Sequence, residues 1–143
     1  MKRIIGLDLG NITLGVAMTD ESHILCSPYE NYSFKRRDFL AAAKHVVELC
    51  EEFNVEEIAL GNPLMPSGDD SVRTNISKKF ASMILNINPD IKVTLIDERF
   101  TSVEAKARLK ESHYNGKKGR VVDSVAATLI LESYMGQKSR KTP

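Results

Sequence analysis

The order of strand and helix patterns along the chain is the feature that most restricts its fold. Three short apolar segments near the N-terminus, Ile4–Leu7, Leu14–Met18 and His23–Cys26, are typical of β-strands separated by tight turns. Turns this short cannot hold the helical crossover that a parallel neighbour needs. The sequence therefore predicts an antiparallel meander of three strands.

After this meander the apolar residues change to helical spacing and alternate with short strand patterns. Helices are predicted over 38–53, 72–87, 101–111 and 122–134, and strands over 58–60 and 93–96. Helical crossovers make the later strands parallel. The predicted fold is thus α/β, a five-stranded mixed sheet with its first three strands antiparallel and its last two parallel, flanked by helices.

Length and composition indicate one globular domain. Of the 143 residues, 42% are hydrophobic and 27% charged, which supports a buried core, and we expect a single domain over 1–137 with a frayed basic tail over 138–143. The sequence contains no apolar run of membrane-spanning length and no signal peptide, so a cytoplasmic protein is expected. Cys26 and Cys50 lie in apolar segments and are predicted to be unpaired thiols.

The net charge of +1 does not by itself indicate a nucleic-acid-binding protein, but the basic residues are clustered. The clusters are Lys35–Arg37, Lys117–Arg120 and Lys138–Lys141. They are compatible with solvated surface and with contacts to phosphate, and composition does not distinguish the two.

Carboxylates occupy unusual positions at the predicted strand ends. Asp8 ends the first strand, although Asp is depleted in strands and a charge in apolar surroundings is costly unless it is paired or binds a metal. Asp97 and Glu98 follow the last strand, and Asp123 lies on the inward stripe of the last helix. Functional groups of open α/β sheets gather at the carboxyl ends of parallel strands. Asp8, Glu98 and Asp123 are therefore expected to meet.

Carboxylates that meet in this way suit a hard metal ion, because a cation relieves their repulsion and oxygen ligands favour Mg²⁺ or Mn²⁺. Two such ions would support phosphoryl chemistry, with Asp8 bridging them. Each acid also has an ordinary explanation. Asp8 suits a turn, Asp123 suits the first turn of a helix, and Asp97–Arg99 suits a surface ion pair.

Five motifs together resemble a known family. They are Gly6–Gly10 with Gly15–Ala17, Gly61 with Pro63, Asp97–Ser102 with Glu104–Ala105, Val122–Ser124, and Ala126–Ala127 with Ile130–Leu131. In order and spacing they resemble the YqgF family, bacterial Holliday-junction-resolvase-like proteins regarded as nucleases of the small-subunit ribosomal RNA precursor. The resemblance implies a ribonuclease-H-like fold and processing of the 5′ end of pre-16S ribosomal RNA.

The same resemblance implies the site. Asp8, Glu98 and Asp123 would be the catalytic residues and the ligands of two Mg²⁺ or Mn²⁺ ions. The implied substrate contacts are Arg99, Lys118 and Arg120. The implied partner is nucleic acid, either ribosomal RNA precursor or branched DNA, with no membrane, bound by a monomer or weak homodimer.

The chain departs from the family pattern in two loops. Relatives usually carry basic residues in the first hairpin, where this chain has Ile12 and Thr13. The loop that begins at Gly61 also differs from the usual Gly-Leu-Pro pattern. Both departures remove expected substrate contacts, whereas the three acids remain.

Three other functions fit parts of the sequence. The opening strand and hairpin also resemble the first phosphate loop of actin-like ATPases and sugar kinases, but this chain shows no second such loop. A non-catalytic RNA-binding or ribosome-assembly module would not need the three acids. A Holliday-junction resolvase in DNA recombination would usually act as a dimer.

Overall fold

The computed structural model describes residues 2–63, 67, 71–97 and 120–141. Within these residues there are five strands and three helices. The strands are β1 (Ile4–Leu9), β2 (Thr13–Thr19), β3 (Cys26–Ser33), β4 (Glu57–Asn62) and β5 (Lys92–Asp97). The helices are α1 (Phe39–Phe53), α2 (Val72–Ile87) and α3 (Arg120–Lys141).

The five strands form one mixed sheet in the order β3-β2-β1-β4-β5. β1 pairs antiparallel with β2, and β2 with β3, whereas β1–β4 and β4–β5 are parallel pairs. The short turns of the first three strands and the helical crossovers of the later ones dictate this arrangement. The predicted α/β fold with a mixed five-stranded sheet is confirmed.

The helices cover opposite faces of the sheet, so the protein has two apolar clusters. α1 and α2 lie on one face, over a cluster that includes Leu7 and Leu60. α3 lies on the other face, over Ile4, Ala17 and Ile96. Alternate residues of each strand therefore serve different helices.

The helix boundaries follow from local capping. The Asp38 side chain accepts a hydrogen bond from the Ala41 amide at the start of α1. Ser71 and Thr74 form a reciprocal capping box at the start of α2. The predicted helix over 101–111 lies outside the described residues. In the described part of the chain, no helix is both long and apolar enough to cross a membrane.

The third strand differs from the prediction over His23–Cys26, because β3 begins where that prediction ended. Residues 20–25 instead form a turn, in which the Asp20 carboxylate accepts hydrogen bonds from the Ile24 and Leu25 amides at 2.8 and 3.3 Å. Ile24 and Leu25 are consequently exposed. The apolar residues that suggested a strand belong to this turn.

The sequence pattern did not predict β3 because it is an edge strand with a polar sequence. It contains Pro28, which cannot donate a ladder hydrogen bond and is tolerated at edges and bulges. The register with β2 shifts between Val16 and Ala17 at this point, which leaves Tyr29 without an opposite residue. The irregularity accommodates the proline.

Both cysteines are free thiols, as predicted. Burial and the nearby Glu51 raise the pKa of Cys50 to about 12, and burial with Glu132 and Asp20 raises that of Cys26 to about 11. Neither thiol is therefore suited to act as a nucleophile near neutral pH.

The last helix is longer than predicted. The sequence predicts an end at Tyr134 followed by a frayed tail, whereas α3 continues to Lys141. The Glu57 carboxylate on β4 accepts a hydrogen bond from the Tyr134 hydroxyl at 2.5 Å and two from Lys138 at 2.8 and 2.9 Å. These bonds fix the C-terminal part of α3 against the sheet.

The charge of Glu57 is stabilised by these bonds. Burial opposes its ionisation, but the hydrogen bonds from Lys138 and Tyr134 outweigh burial and lower the pKa of Glu57 below its ordinary value of 4.5. Burial and the bond to Glu57 raise the pKa of Tyr134 to about 12. A carboxyl group whose pKa is lower in the folded than in the unfolded protein stabilises the fold at pH values above its unfolded pKa. The contribution of Glu57 is therefore lost as the pH falls through its folded pKa.

Substitution Glu57→Gln is expected to lower the free energy of unfolding at neutral pH by about 1–3 kcal/mol, because a charged acceptor of three hydrogen bonds is removed. Below about pH 4 the difference from wild type should shrink. Thermal melts across this pH range measure both effects. The matched control is Glu56→Gln, which removes only an exposed ion pair with Lys2. Equal destabilisation by the two variants would contradict the anchoring role of Glu57.

Candidate functional site

Asp8 lies near the end of β1, on the face of the sheet that α3 covers. Leu7 and Leu9 belong to the cluster under α1 and α2, whereas Ile4 belongs to the cluster under α3. Asp8 shares the face of Ile4 because strand residues alternate. It is only partly buried. Asp8 thus combines a position at the carboxyl end of a strand with access to solvent.

Two glycines let α3 approach this face closely. A Cβ at Gly15 would lie 2.1 Å from the Asp123 carbonyl oxygen, and a Cβ at Gly6 would lie 2.7 Å from that of Ala127. Real Cβ atoms do not approach backbone oxygens so closely, so any side chain would push the helix away. The N-terminal turns of α3 therefore lie directly on β1 and β2.

The pairing of β1 with β2 also places Asp8 beside Gly15. Asp8 and Gly15 are opposite residues in the β1–β2 ladder. Opposite residues of an antiparallel pair have their Cα atoms about 4.5–5.5 Å apart. Since Gly15 also contacts the Asp123 backbone, Asp8 and Asp123 flank one glycine, although they are far apart in the chain.

Thr13 fixes the Asp123 side chain. Its hydroxyl donates a hydrogen bond of 2.6 Å to Oδ2 of Asp123, a length typical of a hydroxyl bound to a carboxylate. Asp123 also lies in the first turn of α3, where the helix dipole favours a negative charge. Thr13 is therefore not simply a missing basic residue, since it orients one of the predicted acids.

The hairpin that carries Thr13 is held from the opposite side by Arg73. The Arg73 guanidinium, in the first turn of α2, donates to the Leu9 carbonyl at 2.7 Å and to Oδ1 of Asn11 at 3.0 Å. Sequence reasoning missed both Thr13 and Arg73. Their partners lie 110 and 62–64 residues away in the chain, so no local pattern marks these contacts.

Strand alternation assigns Asp97 to the opposite face of the sheet from Asp8. Asp97 ends β5, and Ile96 beside it belongs to the cluster under α3. Alternation along the strand directs Asp97 to the face of α1 and α2. A role for Asp97 next to Asp8 is therefore disfavoured.

The remaining predicted site residues fall at or beyond the limits of the described ranges. Glu98, Arg99 and Lys118 lie outside the described residues, and Arg120 begins α3 without a described side chain. Within the described ranges, no three His, Cys, Asp or Glu side chains are grouped to hold a metal. The structure thus places Asp8 and Asp123 near each other, whereas the participation of Glu98 remains a prediction.

Comparison with known proteins identifies the family. The sequence model of RuvX, described as Holliday junction resolvase, matches residues 2–137. The chain belongs to the RuvX family. This result confirms the resemblance to YqgF proteins seen in the sequence, and it agrees with a nuclease of this type.

Curated relatives resemble the chain over nearly its whole length. A protein of Fusobacterium nucleatum named "Putative pre-16S rRNA nuclease" is 32% identical over 140 residues, covering 96% of this chain and 99% of the relative. A protein of the same name from Protochlamydia amoebophila is 35% identical over 142 residues, covering 95% and 94%. The similarity thus extends over nearly the full length of both relatives.

Solved structures support the fold. The Thermus thermophilus RuvC in complex with a Holliday junction substrate has a TM-score of 0.62 at 13% identity, with 96% of this chain and 97% of that chain covered. The Fowlpox virus resolvase in complex with a Holliday junction has a TM-score of 0.58 at 13% identity, with 94% and 97% covered. The expected ribonuclease-H-like fold is confirmed through its resemblance to these resolvases.

The close packing of α3 can be tested by Gly15→Ala. The added methyl group has no room beside the Asp123 carbonyl, so the substitution is expected to destabilise the protein by at least about 2 kcal/mol. Gly10→Ala is the matched control in the same hairpin, because its Cβ would meet the Thr13 carbonyl at a more tolerable 3.1 Å. Denaturant unfolding measures both. A cost for Gly15→Ala no larger than that for Gly10→Ala would disprove the close approach.

The role of Thr13 can be tested by Thr13→Val, which keeps the shape of the side chain and removes the hydroxyl. Because Asp123 is one of the acids predicted to hold Mg²⁺ or Mn²⁺, loss of its hydrogen bond is expected to weaken Mn²⁺ binding about 10-fold, within the range for residues that orient metal ligands. Calorimetric titration with Mn²⁺ provides the measurement. Thr13→Ser retains the hydroxyl and should restore most of the affinity. If valine and serine behave alike, the hydroxyl does not position Asp123.

Proposed function

We propose that this RuvX protein is a metal-dependent endonuclease that hydrolyses phosphodiester bonds in the precursor of 16S ribosomal RNA. The observation that carries the proposal is the placement of Asp8 and Asp123 on either side of Gly15, at the carboxyl end of β1. The names of the curated relatives support the substrate. Work on ribosomal RNA precursor would place the protein in the cytoplasm.

Asp8, Glu98 and Asp123 would hold the metal ions. The donors are carboxylate oxygens only, which suit Mg²⁺ or Mn²⁺ rather than softer metals. Glu98 is included because it lies in the Asp97–Ser102 motif that resembles the family. When bound, two such ions supply a nucleophilic water and stabilise the leaving oxygen.

The surrounding residues would prepare this site without entering it. The Thr13 hydroxyl donates a hydrogen bond to the Asp123 carboxylate and so holds it in one orientation. Arg73 holds the end of β1 through the Leu9 carbonyl, next to Asp8. Arg99, Lys118 and Arg120 are proposed to contact the phosphates beside the cleaved bond.

Resolution of four-way DNA junctions is the second candidate function. It is favoured by the description of the family and by the fold shared with RuvC. A resolvase cuts two strands symmetrically and therefore needs two sites in a dimer. The proposed processing of ribosomal RNA is compatible with a monomer or weak homodimer.

A cleavage assay with Mg²⁺ or Mn²⁺ tests the proposal. Asp8→Asn and Asp123→Asn keep the side-chain shape and remove the charge, so each is expected to lower kcat/KM by at least about 100-fold, more than is usual for residues outside the ligand set. Asp90→Asn, at an exposed acid in the turn before β5, is the matched control and should retain activity. Thermal melts verify that the variants are folded.

The substrates in this assay are pre-16S ribosomal RNA, an unrelated single-stranded RNA and a four-way DNA junction. Preferential cleavage of the precursor supports the proposal, whereas cleavage of the junction alone favours the resolvase. Activity of Asp8→Asn equal to that of wild type would exclude Asp8 as a metal ligand.

A further inference from the structure

The loop between β3 and α1 is attached to the β1–β2 hairpin. The Phe34 amide donates to the Ile12 carbonyl at 2.9 Å, and the Arg37 amide donates to the Asn11 carbonyl at 2.8 Å. The hairpin turn is itself closed by a bond of 2.8 Å from the Gly10 amide to the Thr13 carbonyl. Loop and hairpin therefore form one hydrogen-bonded unit at the edge of the sheet where β1 ends.

This loop carries three consecutive cations, Lys35, Arg36 and Arg37, which we call the basic triplet. All three are exposed. Among the described residues, no carboxylate forms an ion pair with them. The adjacent acid, Asp38, already accepts the Ala41 amide at 3.2 Å as the cap of α1. The triplet thus presents a concentrated positive charge to solvent.

The backbone of the triplet has a defined conformation. Arg37 has a φ of 63°, in the left-handed region that residues other than glycine rarely adopt. The hydrogen bond from its amide to Asn11 supports this conformation. The charges are consequently held beside the hairpin rather than on a free loop.

The hairpin connects the basic triplet to the candidate active site. Thr13, which binds the Asp123 carboxylate, is two residues from Asn11, which binds the Arg37 amide. Two residues span at most about 7 Å of extended chain. Ile12, between them, is 52% exposed. The acids and the cations thus lie near the same hairpin tip.

We propose that the basic triplet binds the phosphodiester backbone of the nucleic acid substrate, whose chain crosses the hairpin tip between the triplet and the acids Asp8 and Asp123. This proposal rests on the proposed nuclease function. Arg and Lys side chains bind phosphate through charge-assisted hydrogen bonds, and such contacts position a substrate without reading its sequence. The triplet would supply the positive charge that Ile12 and Thr13 do not.

The test is the salt dependence of binding, measured in EDTA so that no metal-dependent cleavage occurs. The probes are a fluorescent single-stranded RNA and a fluorescent four-way DNA junction. The variant combines Lys35→Gln with Arg36→Gln and leaves the Arg37 backbone contact intact. Loss of two phosphate contacts should reduce the slope of log K against log salt by about 1.4 for single-stranded RNA and about 1.8 for duplex DNA.

The matched control combines Lys79→Gln with Lys92→Gln, which removes the same charge from α2 and from the start of β5. It should retain the wild-type slope. An equal slope change in both double variants, no change in either, or no binding of either probe by wild type overturns the proposal. The probe whose slope changes identifies RNA or DNA as the backbone recognised.

This test separates the inference from the proposed function. If Asp8→Asn abolishes cleavage while the triplet variant keeps the wild-type salt dependence of binding, the nuclease function is supported and the proposed binding surface is wrong. If the salt dependence of binding is weaker in the triplet variant while Asp8→Asn cleaves normally, the basic triplet binds nucleic acid and the proposed role of Asp8 is wrong.

Discussion

The contact between α3 and the β1–β2 hairpin at Gly15 is the constraint on which the candidate site depends. Because Gly15 has no Cβ, the Asp123 backbone lies on the strand itself, and the ladder partner of that glycine is Asp8. A larger residue would hold the helix away from the sheet. The same contact brings Asp123 within reach of the Thr13 hydroxyl. Two acids from distant parts of the chain are thus brought together by the absence of a side chain.

The two ends of α3 are fixed by different interactions. Its N-terminal end rests on the glycines and carries Asp123, whereas its C-terminal end is bound to Glu57 through Tyr134 and Lys138. The charge on Glu57 is retained despite burial because its hydrogen bonds outweigh the loss of hydration. Anchoring one end through an ionic network limits tilting of the helix, which would otherwise move Asp123 relative to Asp8.

Local patterns predicted the sheet topology because turn length and helical spacing are properties of neighbouring residues. They failed at β3, where the Asp20 carboxylate organises a turn around Ile24 and Leu25 and the true strand is polar. They also identified Asp8 and Asp123 as unusual. They did not identify Thr13, since its hydrogen bond to Asp123 exists only once the chain has folded. Residue type and spacing reveal candidate ligands, whereas the groups that orient ligands depend on tertiary contacts.

The structure gives the uncharged residues Ile12 and Thr13 of the β1–β2 hairpin specific contacts. In the sequence, Ile12 and Thr13 suggested a loss of substrate contacts, since both residues lack charge. In the fold, the Thr13 hydroxyl donates to Asp123, and the Ile12 carbonyl accepts a hydrogen bond from the loop that carries Lys35 and Arg36. A positive side chain at Thr13 would replace the hydroxyl that orients Asp123. Placing cations in the neighbouring loop instead leaves that hydroxyl available, so one hairpin can position a carboxylate and support a basic surface together.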